Sequence, residues 1–160
     1  METLLPLAAE IGALLKARGQ TISISESSTG GLMSAALLSV PGASAWFIGG
    51  AVIYTKQARD ALLPLDPAAL RGLTPLTEAF VLRHAQGFRE QLGTDWVLAE
   101  IGASGPAGSR YGDPAGTACL ALVGPVEGVF TVKTGTDDRV ANMRSFALAG
   151  LERLRDALSA

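Results

Sequence analysis

The sequence is poor in the residues on which several kinds of chemistry depend. Its 160 residues include one cysteine, Cys119, and one histidine, His84. A lone cysteine has no internal disulfide partner, and one cysteine with one histidine do not make a structural zinc site. Excess charge of one sign is also missing: 13 basic against 15 acidic residues leave a net charge of −2. Such a balance provides no field for gathering nucleic acid or an anionic membrane. No apolar run approaches the roughly 18 residues of a membrane span. The N-terminal stretch METLLPLAAEIGALLK lacks the basic start and small-residue cleavage site of a signal peptide. These absences predict a soluble cytoplasmic protein without a structural metal.

What is present is apolar and patterned. Hydrophobic residues make up 48% of the chain, which excludes disorder. The length suits one domain spanning 1–160. Helical spacing predicts helices over 2–18, 31–40, 56–63, 77–92 and from Asp137/Asp138 onward. Strands are predicted at TISIS (21–25), WFIGGAVIY (46–54) and DWVLAEIG (95–102), and as a hairpin around Gly124-Pro125. PLDPAALRGL (64–73) reads as a turn with one or two helical turns. The order αβαβα-α-βββα predicts a single three-layer α/β/α domain with a mixed sheet.

Two glycine-rich loops follow predicted strands. The first, ESSTGG, leads from a strand into a helix. In open α/β sheets ligands bind beyond the carboxyl ends of strands. A helix N-terminus there offers amide N–H groups to a phosphate or an oxyanion. Ser27, Ser28 and Thr29 add hydroxyls, and Gly30 and Gly31 allow close backbone approach. The plainer reading is that Ser28 or Thr29 caps the helix. The second loop, GASGPAGSRYGDPAG (102–116), holds five glycines and two prolines. Loops this long inside a compact domain are often functional, although a mobile surface loop has the same composition.

These motifs resemble a known family. Glu26-Ser27-Ser28-Thr29-Gly30-Gly31 is similar to the E-S-C-T-G-G signature of the CinA C-terminal-domain family. PGASAWFIGGAVIY (41–54), Gly102-Ala103-Ser104-Gly105-Pro106-Ala107-Gly108, Asp113-Pro114-Ala115-Gly116-Thr117 and Asp138-Arg139 match further family segments in order. That family includes stand-alone nicotinamide-nucleotide amidohydrolases. The resemblance implies hydrolysis of the carboxamide of nicotinamide mononucleotide to nicotinic acid mononucleotide and ammonia, without metal or cofactor, by a homo-oligomer. It implies Ser27 as nucleophile and Tyr54 as proton relay or orienter. Glu26, Ser28, Thr29, Gly30, Gly31, Gly102, Ser104, Gly105 and Arg139 become substrate-binding residues. Arg139 is a candidate for the 5′-phosphate, or simply a solvated arginine at a helix entry.

Three positions depart from the pattern. Ser28 stands for the family cysteine, and Ile101 for a hydroxyl residue. Arg59 stands for the family lysine that acts as base, five residues after the tyrosine. A guanidinium stays protonated and takes no proton from a serine. Lys56, one helical turn before Arg59, is one of only three lysines and the substitute the sequence offers. Burial and the neighbouring guanidinium would have to free its amine of a proton. Otherwise the chain is a catalytically inactive nucleotide-binding member.

Other residues read as structural. His84, mid-helix, is expected at the surface or half-buried. Cys119 lies on a buried strand, and Trp46 and Phe47 read as packing. Glu26 anchors the first loop or holds a substrate hydroxyl, with Arg59 or Arg139 as partner.

Overall fold

A computed structural model describes residues 1–63 and 65–160. The helices are α1 (Leu5–Arg18), α2 (Leu32–Leu38), α3 (Lys56–Leu62), α4 (Glu78–Leu92) and α5 (Arg139–Ser159). The strands are β1 (Ile22–Glu26), β2 (Phe47–Val52), β3 (Trp96–Ala103), β4 (Thr117–Val123) and β5 (Glu127–Lys133). Short 3-10 turns occupy Glu2–Leu4, Ala43–Ala45 and Pro67–Leu70. Element order follows the predicted order. The turn expected at 64–73 begins at Pro64, outside the described residues.

The sheet order is β2-β1-β3-β4-β5. β1 runs parallel to β2 and β3, and the β3–β4 and β4–β5 pairs are antiparallel. β1 alternates Ile22 and Ile24 on one face with Ser23 and Ser25 on the other, and all four are buried. β3 and β4 alternate in the same way. Trp96, Leu98, Ala118 and Leu120 pack with α1, α2 and α5, whereas Val97, Ala99, Cys119 and Ala121 pack with α4. Strands apolar on both faces are what a sheet covered by helices on both sides requires.

Local chemistry fixes the ends of the elements. The Thr77 hydroxyl accepts from Phe80 N and starts α4, and the left-handed Gly93 ends it. Asp138 caps α5 by accepting from Val140 N and Ala141 N. β2 is shorter than expected because Trp46 turns into the core: its indole lies where a Cβ on Gly12 would come within 2.7 Å. The hairpin turns at Gly124-Pro125 as expected, with Val123 opposite Glu127.

One topological feature positions the site. The chain leaves β1 through α2 to reach β2 on one side, then passes α4 to reach β3 on the other. Strand order therefore reverses at β1, and the crossovers diverge at its carboxyl end. Ligands of open α/β sheets bind in such a crevice.

Candidate active site

The first loop emerges from β1 at Glu26, whose side chain is fully buried. Its carboxylate accepts from Gly31 N at 3.0 Å, Met33 N at 3.1 Å and Ser34 N at 2.8 Å, and from the Ser34 hydroxyl at 2.6 Å. A protein carboxylate thus fills the anion site of the α2 N-terminus. The left-handed Gly31, with φ of 97°, turns the backbone so that these amides converge. Glu26 has this partner rather than Arg59 or Arg139, because β1 ends directly under the helix start. Neither Ser28 nor Thr29 caps α2.

A second acid reaches the loop from β3. Glu100, 1% exposed, accepts at Oε2 from Ser27 N, Thr29 N and the Thr29 hydroxyl, each at 3.0 Å. Its Oε1 accepts from the Ser28 hydroxyl. The Thr29 hydroxyl also lies 2.8 Å from Glu26 Oε2, between the two acids. Burial pushes the Glu100 carboxyl above the ordinary range, against the four hydrogen bonds that pull it down.

The expectation that this helix start offers its amides to an external anion is corrected at three positions: Thr29 N and Gly31 N serve the protein's own acids, and Gly30 N closes a turn on Ser27 O. Ser28 and Thr29, 3% and 0% exposed, have hydroxyls committed to the acids. Glu26, Ser28, Thr29, Gly30 and Gly31 build the support of the loop and do not line its cleft. Gly102 has a packing reason as well: a Cβ there would meet Ser28 Oγ at 2.4 Å.

Ser27 alone of the loop's hydroxyls is half-buried and faces an open cleft of about 420 Å3. That is within the usual size of small-molecule sites. The cleft gathers Tyr54, Lys56 and Arg59 from the end of β2 and α3, and Gly102, Ser104 and Gly105 from the end of β3 and the second loop. Arg139 joins them from α5. Its ionisable lining comprises Lys56, Arg59, Arg110 and Arg139 with Tyr54, Tyr111 and His84, and no carboxylate. Among the described residues no group of three or more His, Cys, Asp or Glu gathers in a metal-binding arrangement.

Arg139 ties the rim together. It donates to Gly105 O at 2.6 Å and to the Tyr54 hydroxyl at 3.1 Å. The second loop is pinned from behind by the buried Asn142, which donates to Ser104 O at 2.8 Å and Thr136 O at 2.9 Å. Gly105, with φ of 108°, lies against α5's approach, where a Cβ would meet Asp137 O at 2.4 Å.

The two candidate cations differ. The Lys56 side chain is 72% exposed and ion-paired with Asp60 one turn along α3. It lacks the burial expected of a base, and its partner on the helix is an acid. The Arg59 side chain, 19% exposed, lies over the Phe80 ring at 5.6 Å and also reaches Asp60.

His84 is corrected more sharply. It is 3% exposed and lines the cleft, because it shares the buried face of α4 with Phe80, Val81 and Phe88. Its Nε2 lies 2.7 Å from the Ser25 hydroxyl. Burial first, and the Arg59 charge second, lower its pKa from 6.5 to about 4. Glu100, Ser25 and Asn142 were not singled out from the sequence. The acid inside the apolar WVLAEIG and the alternating serines of TISISE are the signals available in the sequence.

This is an α/β domain whose topological switch point carries a serine loop, a tyrosine and cationic side chains around one cleft, the place where open α/β sheets bind their ligands. Residues 4–158 match the family model described as the CinA C-terminal domain, and the chain belongs to that family. It is 38% identical over 156 residues, 96% of its length, to a CinA-like protein of Desulfosudis oleivorans, and covers 38% of that protein. It is 40% identical over 119 residues to a CinA-like protein of a Synechocystis strain, covering 29% of it. The chain thus spans well under half of these relatives. Among solved structures it is similar to a competence-damaged protein (CinA) superfamily protein of Klebsiella pneumoniae, with a TM-score of 0.89, 26% identity and 98% coverage of both chains. It is also similar to the competence/damage-inducible protein CihA of Agrobacterium tumefaciens, with a TM-score of 0.86, 27% identity and coverage of 98% and 96%.

Proposed function

We propose that the chain hydrolyses the carboxamide of nicotinamide mononucleotide, giving nicotinic acid mononucleotide and ammonia. The observation that carries this reading is the cleft that joins Ser27 to Tyr54 and Arg139 under a rim of four cationic side chains with no carboxylate among them. Such a rim suits a phosphate-bearing ligand. Ser27 Oγ attacks the carboxamide carbon, its proton goes to the departing nitrogen, and ammonia leaves. Water then cleaves the ester and restores the serine. The Tyr54 oxygen accepts from Arg139, which leaves its O–H directed by that contact to serve as orienter or relay. Cytoplasmic localisation and a homo-oligomeric state accompany this reading. No helix among the described residues is long and apolar enough to cross a membrane.

A second reading is a nucleotide-binding member without turnover. It is favoured by Arg59 at the family's lysine position, together with the exposed, paired Lys56. Incubation of the purified protein with nicotinamide mononucleotide, with ammonia measured, separates the two. Tight binding with no ammonia supports the second reading. The phosphate part has its own check by calorimetry. The nucleotide is expected to bind at least tenfold more tightly than nicotinamide riboside, and Arg139→Ala is expected to erase most of that difference. Equal affinities for nucleotide and riboside remove the phosphate argument.

A further inference from the structure

Two residues that line the cleft each carry a buried polar atom that the protein leaves without a partner. His84 Nδ1 and Ser104 Oγ are buried and have no hydrogen-bond partner among the described residues. The two residues are 3% and 2% exposed, and both line the cleft that Ser27 enters. They come from different elements, His84 from α4 and Ser104 from the loop after β3. A buried polar atom without a partner is destabilising, so two of them on residues that line one cleft mark a place where a ligand can supply the missing bonds.

The surroundings specify what kind of group that ligand presents. Ser25 Oγ, 2.7 Å from His84 Nε2, fixes the ring and occupies that nitrogen. An imidazole with one proton has one donor nitrogen and one acceptor nitrogen, and a hydroxyl both donates and accepts. With the proton on Nε2, directed at Ser25, the Nδ1 lone pair faces an N–H donor and the Ser104 hydroxyl donates to a carbonyl oxygen. That pairing complements a carboxamide, which carries an NH2 and a carbonyl oxygen. A carboxylate offers no N–H to the ring lone pair and costs more to bury.

We propose that His84 Nδ1 and Ser104 Oγ form the carboxamide subsite of the cleft, accepting from the amide nitrogen and donating to the amide oxygen, with Ser25 as the positioning residue that sets the ring tautomer. This assignment rests on the amidohydrolase reading above and names what distinguishes substrate from product. Phe80 and Leu76, which line the same cleft, provide apolar surface beside the polar pair.

The lone histidine makes the test direct, since histidine-selective 15N labelling yields signals from one ring. The probe is the Ser27→Ala protein, which binds the amide without consuming it, titrated with nicotinamide mononucleotide and, separately, with nicotinic acid mononucleotide. Free protein is expected to show Nδ1 as the unprotonated nitrogen. The amide is expected to shift that resonance, and the acid to leave it unmoved. By calorimetry, Ser104→Ala in the same background is expected to weaken the amide about tenfold and the acid less than twofold. The proposal is overturned if Nδ1 carries the proton, if saturating amide leaves its resonance unchanged, or if Ser104→Ala weakens both nucleotides equally. Those results leave the amidohydrolase reading standing where wild-type protein releases ammonia. Absence of both nucleotide binding and ammonia release overturns that reading, and this subsite with it.

Discussion

The first loop and the cleft rim use charge in opposite ways, although they meet at one serine. Beneath the loop, Glu26 and Glu100 are buried and saturated with donors from the protein itself. Around the rim, Lys56, Arg59, Arg110 and Arg139 line the cleft with no acid among the lining, although Lys56 and Arg59 both pair with Asp60 beside it. The acids are structural: each replaces an external anion at converging N–H groups, as carboxylates do at helix starts. Arg139 is available: it spends two contacts on Gly105 and Tyr54 and keeps donors to spare. A glycine-rich loop at a helix start is therefore not by itself an anion site. In the proposed function the ligand's charge falls to the rim, and the loop presents Ser27.

The comparison breaks most visibly at Ser27, where the two regions touch. Ser27→Ala is expected to lower ammonia release by roughly 10^4-fold or more. The melting temperature should stay near wild type, since neither acid bonds the Ser27 side chain. Activity that survives moves the nucleophile elsewhere. The support beneath should respond in the opposite currency. Glu26→Ala strands the Gly31, Met33 and Ser34 amides and the Ser34 hydroxyl, with an expected loss of about 3–5 kcal/mol in denaturant unfolding. Glu26→Gln, which keeps an acceptor oxygen, should lose less. A Glu26→Ala protein as stable as wild type would mean that the donors find other partners.

The sequence made the architecture legible because its periodicities are physical. The β-branched run TISIS, the apolar run TACLALV and the 3.6-residue spacing of Phe80, Val81, Ala85 and Phe88 each follow from which surfaces are buried. The same spacing holds for His84, four residues after Phe80, but a polar residue on an apolar face was read by its type rather than its position. Ser27, Tyr54 and Arg139 were legible through the family resemblance, and the cleft does gather them. Glu100 is not legible, because its role depends on β3 lying beside β1, a pairing of residues 74 apart in sequence that no local pattern encodes. The Thr29 amide is hidden for the same reason, since Glu100 takes it, whereas Glu26, which takes the Gly31 amide, lies in the motif itself and reads there as a loop anchor.

Acid should sharpen the comparison through His84. Its folded pKa of about 4 lies below the ordinary 6.5. The unfolded chain therefore binds a proton below pH 6.5 that the folded chain refuses until about 4. The His84 contribution is intact above 6.5 and is lost as pH falls toward 4, reaching about 3 kcal/mol. Glu100 has the opposite sign. Its raised pKa makes the folded acid hold a proton longer than the unfolded one, so its contribution is lost as pH rises above about 4.5 through the folded value. The difference in unfolding free energy between wild type and His84→Gln, measured from pH 7 to 4, should fall as pH falls. For wild type against Glu100→Gln it should fall as pH rises. A flat His84 difference would mean that the ring takes up its proton in the folded protein at an ordinary pH.

The smallest expected effect is at Lys56, and it decides what the rim does. Lys56 is the most solvent-exposed member of the candidate pair, and its partner Asp60 is itself half in solvent. Exposed pairs of this kind contribute little, and an exposed, paired ammonium is a poor proton acceptor. Lys56→Ala is therefore expected to leave ammonia release within about twofold of wild type. Arg59 differs because it is three-quarters buried or more and lies over Phe80 at the cleft wall. Arg59→Lys places at that wall an amine that burial can free of its proton, which a guanidinium never permits. Activity in wild type that Arg59→Lys raises would show a working site that lost its best base. Activity only in Arg59→Lys would identify the chain as a binding member whose serine remains armed. A large loss in Lys56→Ala would contradict the division between structural acids and available cations, because an exposed, paired lysine would then be part of the chemistry.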